Sequence, residues 1–176
     1  RGAAGGRLSS NRTNAEDNGS GVAVGSFDSD GFTTGSSYSF LNGSTPFVAW
    51  NWKANGSGSS NTEGALNTTS TSANVDAGIS IITYTGTGSA TNFGHGLSKT
   101  PEWVMIKDRD ASEQWVIDAE IVTGSSNGTL HFNTDAEYTG GSNSFDTHTS
   151  TLIKVKTAGG VNANTHKYVC YAFHSV

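Results

Sequence analysis

Charge is scarce in this chain. Only 14% of its 176 residues are Asp, Glu, Lys or Arg, against about 25% in an average globular domain. Ser, Thr, Asn and Gly supply the missing polarity, which solvates a surface without charging it and suits a protein outside the cytosol. Cysteine is almost absent: Cys170 stands alone, which excludes an internal disulfide. Its place in the apolar alternating run 168–173 marks it as a buried small hydrophobe rather than a reactive thiol. Long apolar runs are missing too, and none approaches the roughly 20 residues that span a bilayer. The ten Lys and Arg are scattered and the formal net charge is −5, so a nucleic-acid phosphate backbone would find little to neutralise it. Membrane insertion and nucleic-acid binding are therefore not expected. The chain opens at Arg1 with neither an initiator Met nor a signal-type segment, which reads as a processed product or a fragment.

What is present points to β-structure. Lys, Glu and Leu, from which amphipathic helices are built, are sparse, whereas Thr, Val, Ile and aromatics are plentiful. Short runs with a period of two alternate with Gly, Ser and Asn clusters, the pattern of an antiparallel β-sandwich. Residues 78–85 (GISIITYT) put Ile79, Ile81 and Thr83 on one face and Ser80, Ile82 and Tyr84 on the other, so both faces are expected to be covered. Residues 102–107 and 113–120, on either side of a polar turn at 108–112, read as a hairpin with Trp103 and Trp115 paired on its core side. Residues 151–157 alternate with Lys154 and Lys156 towards solvent. Residues 166–173 (HKYVCYAF) form a strongly apolar strand, expected to be central.

The most informative feature is an internal repeat. Residues 6–11 (GRLSSN) resemble 128–133 (GTLHFN), and Ala15-Glu16 answer Ala136-Glu137. Ser26-Phe27-Asp28 match Ser144-Phe145-Asp146, and 46–52 (PFVAWNW) match 167–173 (KYVCYAF). The first copy has nothing upstream to answer residues 64–122. The expected organisation is an incomplete module over 1–53, the back half of a repeat, then a flexible Gly/Ser-rich linker over 54–63 and a complete β-sandwich over 64–176. The core of the complete module is expected to hold Ile79, Ile81, Trp103, Met105, Trp115, Ile117, Tyr168 and Cys170.

Half a sandwich exposes an apolar face and unpaired strand edges. Either residues 1–53 fold onto the second module, or strands of a neighbouring chain complete them by β-strand addition. The second route is heterologous, so it repeats without closing and builds a head-to-tail homopolymer. Leu8, Phe27, Phe32, Phe47, Val48, Trp50 and Trp52 are the candidate self-assembly residues.

The series 48–53, 78–88 (GISIITYTGTG), Gly94-His95-Gly96-Leu97, 101–110 (PEWVMIKDRD), Gln114-Trp115-Val116 and 168–173 resembles a module repeated in tail-fibre-like and other virion structural proteins of tailed bacteriophages. The resemblance covers nearly the whole chain. It implies an all-β sandwich related to jelly-roll or lectin-like domains, present in tandem in long extracellular proteins, and no catalytic residues to carry over.

Sites of other kinds are weak. Asp28-Ser29-Asp30-Gly31 opens like a calcium loop but lacks the later bidentate Glu, so a turn is favoured. Asp108 and Asp110, with Asp118 and Glu120 across the hairpin, read as solvated turn formers before an acid–base pair. His95, His131, His148, His166 and His174 lie apart, without metal-ligand spacing. Tyr38, Phe40 and Tyr138 offer sugar-stacking platforms or packing residues equally. Six Asn-X-Ser/Thr sequons occur, at Asn11, Asn18, Asn42, Asn55, Asn67 and Asn127. Lys107 and Lys154 are candidate donors for Lys–Asn isopeptide cross-links. No cofactor, metal or catalytic residue is expected. The expectation is a non-enzymatic structural protein that forms an extracellular or virion-associated helical fibre, with a carbohydrate-binding module for surface glycans as the alternative.

Overall fold

The computed structural model describes residues 6–17, 23–35, 41, 43–44, 46–118, 124, 128–141 and 143–176. The chain is an all-β antiparallel sandwich. Twelve strands are described: β1 (Val24–Phe27), β2 (Phe32–Thr34), β3 (Ser70–Asn74), β4 (Ile79–Thr85), β5 (Thr91–Gly94), β6 (Trp103–Asp108), β7 (Trp115–Asp118), β8 (Gly128–His131), β9 (Thr139–Gly140), β10 (Phe145–Asp146), β11 (Leu152–Val155) and β12 (Lys167–Phe173). One helical turn, α1 (Gly159–Asn162), precedes β12. Seven strands form one sheet in the order β3-β4-β12-β6-β7-β8-β9, and three form the other, β10-β11-β5. Hairpin β1-β2 stands as a two-stranded sheet of its own.

Pleating assigns the faces, because successive side chains point to opposite sides of a strand. Ile82, Tyr84, Val104, Ile106, Val116, Tyr168, Cys170 and Ala172 point from the seven-stranded sheet towards Phe93, Phe145, Ile153 and Val155 of the smaller one, and together they make the dry core. Tyr84 stacks on Phe93 at 4.4 Å and on Tyr168 at 5.0 Å between ring centroids. Both tyrosine hydroxyls donate to the carbonyls of α1, Tyr84 to Val161 at 2.5 Å and Tyr168 to Gly159 at 2.6 Å. Asn162 closes the same end, donating to the Ser89 and Lys156 carbonyls and accepting from the Thr87 amide. Buried polar groups here are thus paired, as their desolvation requires. Gly78, at φ +64°, turns the chain into β4 where any Cβ would strike the His174 carbonyl.

Several sequence expectations change at this level. Ile79, Trp115 and Ile117 are buried as expected, but on the outer face of the seven-stranded sheet rather than between the sheets. Ile81, Trp103 and Met105 share that outer face and are only half-buried. Only Tyr168 and Cys170 of the named set face inward. Trp103 and Trp115 are not paired: the turn sets a register that places Trp115 opposite Lys107 and Trp103 opposite Phe173. The Gly/Ser stretch is laid along β3 rather than hanging free. The Asn55 amide donates to Ser72 Oγ, Ser59 and Thr71 form a β-bridge, and the Asn61 amide donates to Thr68 Oγ1.

Candidate self-assembly surface

The outer face of the seven-stranded sheet is apolar and needs cover. Part of it comes from the N-terminal region. Trp115 Nε1 donates to the Ser9 carbonyl at 2.9 Å, Arg109 Nε pairs with Glu16 Oε2 at 2.7 Å, and Trp52 meets Phe173 edge-on at 6.1 Å. Leu8 and Phe32 are half-buried. Ser9, Glu16 and Trp52 therefore tie the N-terminal region to the outer side of the sandwich.

Other described residues of that region stay uncovered. Residues 46–53 belong to no strand and are exposed throughout. Phe47, Val48, Trp50 and Trp52 are 50%, 76%, 77% and 62% exposed, and Phe27 on β1 is 68% exposed. Large apolar side chains at successive positions are an unusual thing to leave in water; burying one is worth about 1.5–3 kcal/mol.

The residues that match these in the second copy lie in a different environment. Phe145, the counterpart of Phe27, is fully buried, and its hairpin β10-β11 continues into β5. The counterpart of 46–52 is β12, hydrogen-bonded to β4 on one side and β6 on the other. The faces also correspond. Tyr168, Cys170 and Ala172 point inward where the first copy has Phe47, Ala49 and Asn51. Val169, Tyr171 and Phe173 point outward where it has Val48, Trp50 and Trp52. The segment 46–52 thus carries the two-faced pattern of a central strand without strands on either side of it among the described residues.

The remaining candidate sites resolve into local structure. Asp28 closes the β1-β2 turn: its amide donates to the Gly31 carbonyl, and its carboxylate accepts from Ser26 Oγ and Thr33 Oγ1. Asp108 is fully buried. Its Oδ1 accepts the Asp110 and Ala111 amides, and its Oδ2 lies 2.7 Å from His166 Nδ1. That hydrogen bond holds the His166 pKa above the ordinary histidine value. Asp110 accepts the Lys167 amide. Asp118 sits at the far end of the same hairpin, beside His148, so these carboxylates share no cleft; Glu120 lies outside the described residues. Lys107 is buried, with its ammonium on the Asp108 and Ala111 carbonyls; no Asn side chain is among its hydrogen-bond partners, and burial lowers its pKa. Burial pushes the Cys170 thiol up, which leaves it a packing group. Among the described residues no three His, Cys, Asp or Glu are grouped to hold a metal ion, and no helix is long and apolar enough to cross a membrane. Of the sequons, Asn11, Asn55 and Asn67 are exposed. Asn18, Asn42 and Asn127, like Tyr38 and Phe40, lie outside the described residues.

A family model spans the whole chain, residues 1–176. The chain belongs to the DUF7483 family. The family is described as a domain of unknown function. No curated protein and no solved structure matches the chain.

Proposed function

We propose that the chain is a non-enzymatic structural unit of an extracellular or virion-associated fibre, in which β-modules are joined in series and residues 1–53 are the joint, completed by strands of the neighbouring unit. The observation that carries the reading is the contrast between repeat copies: the exposed Phe27, Phe47 and Val48 have buried counterparts in Phe145, Tyr168 and Val169, and the exposed Trp50 and Trp52 have half-buried ones in Tyr171 and Phe173. The motifs shared with phage tail-fibre-like modules point the same way. Strand completion is favoured over sugar stacking because Trp50 and Trp52 occupy the positions of Tyr171 and Phe173, which pack within the protein.

The place between β4 and β6 constrains the neighbour, because β12 already fills it. Residues 46–52 are a poor competitor for that place, since Asn51 would bring an amide to the fully buried site of Ala172. The neighbour that completes the joint is therefore one whose front half is open. A joint of this kind is a heterologous contact.

Fusing a second copy of residues 64–122 ahead of Arg1 tests this directly. The extended chain should form two complete modules, shield Trp50 and Trp52 from acrylamide quenching and lose any self-association at high concentration. Quenching that matches the original chain would refute the joint.

A further inference from the structure

Three histidines gather at the end of the sandwich opposite α1, and the joint uses none of them. His95, immediately after β5, is fully buried; its Nδ1 accepts the Leu97 amide at 3.1 Å and its Nε2 lies 3.2 Å from the Thr149 carbonyl. An imidazole that accepts at one nitrogen and donates at the other is neutral. His148, in the loop between β10 and β11, accepts the Lys154 amide at Nδ1 and places Nε2 3.0 Å from Asp118 Oδ2. Asp118 ends β7 in the opposite sheet, so this contact ties the two sheets together. His174 follows β12, is also buried, and holds its Nδ1 2.7 Å from the Ser175 carbonyl.

We propose that this end is an acid-opened latch: a proton taken up at His95 Nδ1 turns the acceptor of the Leu97 amide into a second donor, and the turn through Gly96 opens. Donor then faces donor, in a dry site where an unmade hydrogen bond is costly. The turn has little slack, because Gly96 sits at φ +70° against Ala73 and Leu97 is packed into the core. Opening it withdraws Leu97 and loosens the hold of His95 on Thr149 of the β10–β11 loop.

The surroundings set where the latch acts. Burial and the nearby His148 and His174 oppose a charge on His95, while the Thr149 carbonyl and Glu63 favour it, and the balance lies below the ordinary histidine value. The latch is thus shut at neutral pH and opens in acid. At the other end of the sandwich, His166 and Asp108 respond in the opposite sense, since protonation makes theirs an ion pair.

An NMR titration of the full chain from pH 7.5 to 4.5 decides the matter, following the His95 ring and the Leu97 amide. The proposal expects His95 to titrate below the roughly 6.5 of a free histidine. Leu97 protection, corrected for intrinsic exchange, should fall about tenfold or more as the ring charges. His95→Gln, which keeps an amide for Thr149 and cannot titrate, should abolish the coupled loss. A ring that titrates at or above the free value, or Leu97 protection that is unchanged once His95 is charged, overturns the proposal. The wild-type titration is sufficient on its own if the variant does not fold.

Discussion

Phe27 and Phe145 occupy the same tripeptide, Ser-Phe-Asp, and each sits in the first strand of an antiparallel hairpin. One is largely in water and the other is completely dry. The same divergence separates Val48 from Val169 and Phe47 from Tyr168. Local sequence is enough to specify a hairpin, but burial depends on what lies across the layer. In the second copy that is the front half of the module, and in the first copy nothing described takes its place.

The largest effects should come from testing the two phenylalanines. Phe145→Ala empties a packed site and should cost about 3–5 kcal/mol. Phe27→Ala should stay within about 0.5 kcal/mol, as surface changes do. Urea denaturation of both variants measures the difference, and equal losses would break the comparison. A hydroxyl comes next. Tyr168→Phe leaves the Gly159 carbonyl and the Ala163 amide without their partner, a loss of about 1–3 kcal/mol. The reciprocal change, Phe47→Tyr, should leave the denaturation midpoint where it was.

The smallest effect is electrostatic and also belongs to the second copy alone, because the position answering His166 is Thr45 in the first. The folded-state pKa of His166 is raised, so the native state holds more protons than the unfolded chain between the unfolded value and the folded one. The stability from the Asp108 contact is complete below about pH 6.5 and is lost as pH rises through the folded pKa. His95 has the opposite sign: its folded pKa is lowered, so its contribution is present above about pH 6.5 and fades as pH falls through the folded pKa. Denaturation midpoints across pH 5–8 for His166→Gln and His95→Gln, each compared with wild type, should show losses of stability dependence on opposite sides of that value.

Much of this was legible in the residues. Period-two alternation locates β4, β6, β7, β11 and β12 to within a residue or two, and the ordered repeat marks 46–52 as an apolar segment matching β12. Which face of the large sheet points to the second sheet was not legible, because both faces are apolar. Ile79, Ile81 and Trp115 satisfy the alternation as well as Ile82, Tyr84 and Val116 do. The hairpin register escaped for a related reason, since it depends on a turn held by Asp108 rather than on the strands. Asn162 carried no sequence signal, and His95, though it stands in the Gly94-His95-Gly96-Leu97 series, gave no sign of its burial. Their partners, Thr149 for one and Ser89 and Lys156 for the other, are brought close only by folding.

Backbone hydrogen exchange at residues 46–52 offers the most direct test, comparing the chain with its counterpart carrying an added front half. If 46–52 is an unfinished central strand, its amides should exchange freely in the chain alone and slow to the level of 167–173 once the front half is supplied. Exchange that stays as fast in both would contradict the idea that these residues wait for strands on either side.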